Sequence, residues 1–369
     1  MNPNERLFSL DALRGFDMLF IMGFAGLVSS LCALWPNLFT DALAAQMHHV
    51  PWDGLTHHDT IFPLFLFIAG ISFPFSLAKQ RANGFGEGRI LRRVIRRGVV
   101  LVFLGMVYNG LFKLDFATLR VASVLGRIGL AWMFAALLYL YCGTRTRIGI
   151  AAVILIGYSA LLCLVAAPDA PLGADPLSKE GCLACWVDRQ WLPGRLIYGT
   201  FDPEGLLSTL PAIVTAMFGM FTGEFLRTDS PKLPGNRKAL WMALGAVALA
   251  VIGWVWSFVM PVNKMLWSSS FTCVVAAYSL GMFALFYYVI DVRGCRRWTL
   301  FFRVIGLNSI TIYLAQQIIP FNRVANFFVG GVASKCGEAV GTVICAAGYV
   351  AVCWLFLYFL YRKKTFLKV

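Results

Sequence analysis

Charge is scarce in this chain. Of 369 residues, 32 are Lys or Arg and 18 are Asp or Glu. That makes 14% charged, where a soluble domain carries about 25%. The apolar share is 59% and the mean hydropathy +0.73, so there is too little polar surface for a water-soluble body, and an integral membrane protein is expected. Histidine is scarcer still: the four present, His48, His49, His57 and His58, all fall between residues 48 and 58. A Walker loop and a Gly-rich dinucleotide fingerprint are missing, which removes the local signatures of ATP-driven transport and dinucleotide chemistry. No internal repeat or low-complexity tract breaks the chain, and one membrane domain over residues 1–369 is expected. Nor does a charged leader with a small-residue cleavage site precede the first apolar run, near Phe16; a retained first helix is expected.

What is present in quantity is long apolar runs. A run of roughly 20 residues crosses a bilayer as a helix, and ten such spans are expected, near 15–35, 61–79, 98–113, 122–142, 148–168, 205–226, 239–260, 267–290, 299–318 and 338–361. The third is short, and Gly306-Leu307-Asn308-Ser309 interrupts the ninth. The expected fold is all-α, a polytopic transmembrane bundle of about ten spans with both termini cytoplasmic. Its orientation rests on basic residues: about 22 Lys and Arg fall inside and about 8 outside, the bias that sets insertion. The net charge of +14 is thereby a topology signal, and no nucleic-acid partner is expected. The bilayer is the expected partner, in a bacterial inner membrane. Aromatic residues, 15% of the chain, suit lipid-facing positions and equally a homodimer contact.

In this topology the histidine loop, residues 36–60, faces outward and contains no Lys or Arg. Histidine is the side chain whose ordinary pKa lies near neutrality, so proton transfer or nucleophilic chemistry is expected here, with Asp53, Asp59 and Trp52 beside it. Two pairs of adjacent histidines also read as plain surface residues or a weak metal site. On the inside face, Arg89, Arg92, Arg93, Arg96 and Arg97 read either as an anchor on anionic lipid or as a landing site for a phosphorylated donor, since guanidinium pairs bidentately with phosphate. Charges at membrane depth pair with one another or line a wet cavity: Arg14 has Asp11 and Asp17 near it, and Arg127 sits about one turn inside an apolar helix. Phe201-Asp202-Pro203-Glu204-Gly205 is a capping turn or a pair of acids for an amine or sugar hydroxyls. Cys182 and Cys185 form the one CxxC, in an outer loop, where a disulfide is allowed; zinc needs two further ligands, and no familiar zinc spacing is present, so no metal is expected.

Six segments together resemble the heparan-alpha-glucosaminide N-acetyltransferase family of transmembrane acyltransferases: Ser9-Leu10-Asp11-Ala12-Leu13-Arg14-Gly15; His49-Val50-Pro51-Trp52-Asp53-Gly54-Leu55-Thr56 with Asp59 following; Arg127-Ile128-Gly129; Phe201 to Leu207; Pro261-Val262-Asn263-Lys264 with Leu266-Trp267; and Gly306-Leu307-Asn308-Ser309-Ile310. They run in family order over nearly the whole chain. The chain departs from the lysosomal members late in the first span, where Gly23-Phe24-Ala25-Gly26 stands in place of an asparagine.

The resemblance implies transfer of an acetyl group from cytoplasmic acetyl-CoA, as co-substrate, to the amine of a glucosamine-type sugar on the far side. His49 matches the family's histidine and would act as base or acetyl carrier, with Asp59 orienting it. Trp52, Asp53, Asp202, Glu204, Asn263, Lys264 and Asn308 are then candidates for the acceptor or the thioester oxygen. Arg14, Arg92, Arg93, Arg96, Arg97 and Arg127 are candidates for the donor. Rival readings are a transporter of a sugar or other small solute, and an O-acetyltransferase of a cell-envelope glycan.

Overall fold

The computed structural model describes residues 7–367. It is helical from end to end: α1 (Phe8–Cys32), α2 (Leu38–Ala45), α3 (His57–Ala82), α4 (Glu87–Tyr108), α5 (Val124–Tyr141), α6 (Thr144–Leu164), α7 (Leu183–Trp191), α8 (Thr209–Arg227), α9 (Gly235–Trp256), α10 (Ser269–Val292), α11 (Thr299–Gly306), α12 (Ser309–Ile318), α13 (Phe321–Ala333) and α14 (Glu338–Arg362). No strand forms among the described residues; three isolated bridges, Asp53 with Asn263, Arg120 with Gly194 and Ala166 with Cys182, tie loops together.

Among the described residues, eight helices are long and apolar enough to cross a membrane: α1, α3, α5, α6, α8, α9, α10 and α14. The other two expected spans take different forms. The third becomes α4, a continuous helix whose first half carries Arg89, Arg92, Arg93, Arg96 and Arg97, too much charge for a simple span. The ninth is broken into α11 and α12 at Leu307-Asn308, and neither piece alone is long enough.

The polytopic bundle is organised around α3, which packs on α8, α10 and α5. The α3–α8 seam is set by small residues: a Cβ at Gly70 would overlap the carbonyl oxygen of Ala216, and one at Gly219 that of Phe67. Backbone contact of this kind is how helices associate in lipid, where apolar side chains gain little by leaving the solvent. α14 and α9 are mostly exposed, as lipid-facing helices are. α1 is interrupted by a π-turn at Phe20–Phe24, with Gly23 at φ 114°, so Gly23-Phe24-Ala25-Gly26 is a local irregularity of the helix.

Candidate functional site

The site begins with the start of α3. Thr56 is the N-cap, in extended conformation, and Asp59, in the first turn, accepts the Thr56 N–H at 3.2 Å through Oδ2. A carboxylate here also faces the positive end of the helix dipole. The other oxygen reaches outward: Asp59 Oδ1 lies 2.7 Å from His49 Nδ1. Asp59 is fully buried, whereas the His49 side chain is 43% exposed. Lys264 completes the group, its Nζ 3.3 Å from the same Asp59 oxygen and 3.0 Å from His49 Nδ1.

One imidazole nitrogen cannot donate to a carboxylate and accept from an ammonium at once. The shorter, charge-assisted contact decides: Nδ1–H donates to Asp59, Lys264 pairs with that carboxylate, and Nε2, 3.4 Å from the same ammonium, carries no proton of its own. Burial pulls the Lys264 ammonium below the ordinary lysine range, opposed by the Asp59 charge. The remaining histidines are held differently. The His58 ring lies 4.5 Å from that of His49, the His57 ring packs on Phe20 at 4.5 Å, and exposed His48 reaches Ser29 Oγ at 3.5 Å. Of the four, His49 alone among the described residues contacts a carboxylate.

Lys264 is delivered by a bracket between two loops. Asn263 Nδ2 donates to Asp53 Oδ1 at 3.0 Å, Gly54 N–H donates to Val262 O at 2.8 Å, and Asn263 Oδ1 accepts the Leu266 N–H at 2.9 Å. Asp53 and Asn263, both expected to touch substrate, thus engage each other. Trp52 faces a third loop, its Nε1 donating to Leu177 O at 3.0 Å and its ring 5.2 Å from that of Phe201.

The acid turn is gripped by Arg120, a residue that the sequence did not single out. Its Nε and Nη2 donate to Asp202 at 2.7 and 2.6 Å, and Nη2 also meets Glu204. Burial opposes both charges, yet the Arg120 guanidinium is raised and the Asp202 carboxyl held low, because each stabilises the other. Arg127, fully buried, donates to Gly205 O at 3.0 Å and to Ser208 Oγ, and lies over the Trp267 ring at 5.0 Å. It braces the turn from behind. Asp188 on α7 accepts the Leu206 N–H at 2.9 Å, and burial pushes its carboxyl up to about 7.

These groups surround a cavity of about 290 Å³ whose polar lining is His49, His58, Lys264, Arg120, Glu204 and Tyr313, above a floor that includes Ile61, Phe62 and Val124. At the other end of α3 a second cavity, about 730 Å³, is lined by Lys79, Gln80, Arg93, Arg96, Arg97, Phe85 and Trp132. Arg97 stacks over Trp132 at 4.3 Å and Arg93 over Phe85 at 4.2 Å. The two are distinct: α3 contributes Phe62 to one and Phe73 to the other, ~16 Å apart at the helical rise. Arg92 lines a different, shallow pocket with Arg96. Arg14 donates to Ser72 Oγ at 3.3 Å and lies 3.8 Å from Asp11. Asn308 is buried at the α11–α12 break. An apolar groove of about 640 Å³ between α6, α8 and α9 brings no convergent polar groups to a reaction. Among the described residues no three His, Cys, Asp or Glu side chains gather as a metal ion requires.

A carboxylate-oriented imidazole with an unprotonated Nε2 can remove a proton or carry an acyl group, and a buried ammonium beside it can stabilise developing negative charge.

Comparison with known proteins returns one family match and curated relatives. Residues 6–155 match a family described as "Domain of unknown function (DUF5009)". The human "Heparan-alpha-glucosaminide N-acetyltransferase" is 26% identical over 374 residues, covering 87% of this chain and 55% of its own length. Its mouse counterpart is 25% identical over 373 residues, covering 87% of this chain and 56% of its own. The chain spans about half the length of the curated relatives it matches. The relationship to that family, read from the motifs, is borne out at this level.

Proposed function

We propose that the chain is a membrane acetyltransferase that moves the acetyl group of acetyl-CoA to the amine of a glucosamine-type sugar. The observation that carries the reading is the contact of His49 with buried Asp59, backed by Lys264, on the wall of a cavity sized for a small polar ligand. With the neutral acceptor amine in the cavity, His49 Nε2 takes its proton as nitrogen attacks the thioester carbonyl, and the adduct then breaks its C–S bond to expel CoA thiolate, which collects that proton from the imidazolium. The imidazolium formed is stabilised by Asp59, and the Lys264 ammonium faces the developing oxyanion. In a two-step variant, Nε2 itself attacks the thioester, thiolate leaves, and the amine collects the acetyl group from the imidazole. Glu204, partnered by Arg120, supplies a carboxylate that accepts from the acceptor's hydroxyls. The arginine-lined cavity at the far end of α3 suits the phosphates of the donor.

In this reading the His49 end of the bundle faces the periplasm or a lumen, and the arginine end the cytoplasm. Acetyl-CoA labelled in the acetyl group, incubated with purified protein and glucosamine, tests it. Labelled N-acetylglucosamine that survives mild alkali and disappears in His49→Ala is the expected result. An alkali-labile product would mean transfer to a hydroxyl. No product with any amino sugar, together with solute uptake into liposomes, would mean a transporter.

A further inference from the structure

Cys182 and Cys185 lie in the 165–208 excursion between α6 and α8, at the His49 end of the bundle, where Trp52 docks on Leu177. Ala166 bridges to Cys182, and the Ala167 N–H donates to Gly181 O at 2.8 Å, so α7 is launched from a closed loop. Cys182 is its N-cap, and the Cys182 sulfur accepts the Cys185 N–H at 3.4 Å. Both stand as free thiols in this structure, with the Cys182 sulfur set against the backbone of Cys185. Both are buried, in an apolar cluster with Tyr158, Leu162, Met260 and Leu266. Two thiols in such a cluster pack as small apolar groups and can also contact each other.

A second observation concerns how they do so. The Cys185 thiol hydrogen-bonds to Cys182, which with the first-turn amides of α7 holds the Cys182 thiol below its ordinary range; the Cys185 thiol is pushed up by the same contact. A first thiol lowered by its neighbour and by amides is what a CxxC at a helix start favours.

The pair also has something to hold. α7 carries Asp188, whose carboxyl takes the Leu206 N–H and abuts Gly205, one residue beyond Glu204 on the cavity wall. We propose that Cys182 and Cys185 are joined by a disulfide in the mature protein, locking the first turn of α7 and so bracing the acid turn.

The bond forms by exchange. The Cys182 thiolate attacks a sulfur of a disulfide-bearing oxidant, a thiol–disulfide oxidoreductase or a low-molecular-weight disulfide, and one oxidant thiol leaves. Cys185 gives its proton to solvent and attacks the Cys182 sulfur, closing the internal bond and expelling the second thiol. Two electrons pass to the oxidant, which takes up two protons. Because both sulfurs are out of solvent once the excursion has closed, exchange occurs while it is still open, during folding. Burial afterwards shields the bond from reductant.

The test uses the full chain in its own membranes, dissolved in SDS with N-ethylmaleimide present from the start. Peptide mass spectrometry is expected to return Cys182 and Cys185 linked to each other and unlabelled, both taking label only after reduction. In detergent-purified protein, reduction under mild denaturation lowers Tm by a few degrees, and the Cys182→Ser/Cys185→Ser double variant, folded but less stable, loses that sensitivity. Maleimide on both cysteines before reduction, or a bond from either to another cysteine, overturns the proposal. A Tm indifferent to reduction overturns the bracing. None of these readouts uses acetyl transfer, so their failure is distinguishable from failure of the acetyltransferase reading.

Discussion

The carboxylate of Asp59 stands 2.7 Å from the Nδ1 of His49 while also capping the helix it begins. One buried side chain therefore sets both where α3 starts and which way the imidazole faces. Coupling of this kind makes the site sensitive to small changes.

His49→Ala is expected to lower kcat by about 10²–10⁴, the usual contribution of a positioned general base. Tm should hardly move, since the His49 side chain is 43% exposed. His48→Ala, on the solvent side, should leave initial rates of acetyl transfer unchanged.

Asp59→Asn keeps the side-chain size but removes the charge that stabilises the imidazolium and pairs with Lys264. Its kcat is expected to fall by up to about 10⁴-fold, the loss that follows when the carboxylate orienting a catalytic histidine becomes an amide. Leaving the buried Lys264 ammonium without its carboxylate should cost about 3–5 kcal/mol in chemical denaturation. A rate equal to the parent's would remove Asp59 from the mechanism.

Lys264 predicts a pH signature. Its ammonium is held below the ordinary lysine range by burial, so a rate that depends on that charge falls at alkaline pH, with an apparent pKa under the usual lysine value. In Lys264→Arg the guanidinium stays charged, and this alkaline limb should vanish from the pH–rate profile even if the maximum rate is lower.

Asp188 predicts a pH dependence of stability. Its folded pKa, about 7, lies above the unfolded value of about 3.9. The folded state therefore holds the extra proton between those values. Its stabilising contribution is full below about pH 4, declines as pH rises through the window, and is gone above pH 7. At ~1.4 kcal/mol per unit, the span is a few kcal/mol at most. Asp188→Asn should flatten the profile of Tm against pH from 4 to 7.

Arg120→Leu leaves the fully buried Asp202 carboxylate without its guanidinium and is expected to cost about 3–5 kcal/mol, as removing one partner of a buried pair does. Arg120→Lys should rescue only part of this, because one ammonium cannot reproduce the two-pronged grip on Asp202. Denaturant unfolding in detergent measures both.

Much of the fold was legible because hydropathy is a local property: a run long enough to cross a bilayer declares itself without reference to the rest of the chain. Eight expected spans are helices long and apolar enough to cross. The other two differ for local reasons as well, charge in α4 and a break at Asn308. His49 and Asp59 could be paired in advance, being only ten residues apart and flanking a helix start. Arg120 and Asp188 escaped notice because each gains its meaning from a partner brought by folding, Asp202 for one and Leu206 for the other.

The sequence by itself determined that this is a membrane protein, where eight long helices lie and where the histidines gather, since these follow from composition and short-range order; the shorter helices α2, α7 and α13 fall in stretches that read as outer loops. Only the tertiary structure decided that Lys264 reaches His49 across 215 residues, that Asn263 locks onto Asp53 across 210, and that Arg120 holds the acid turn across 82. Such contacts depend on how helices stack through seams like Gly70 against Ala216. No periodicity or spacing in a linear chain encodes which distant loops that stacking will bring together.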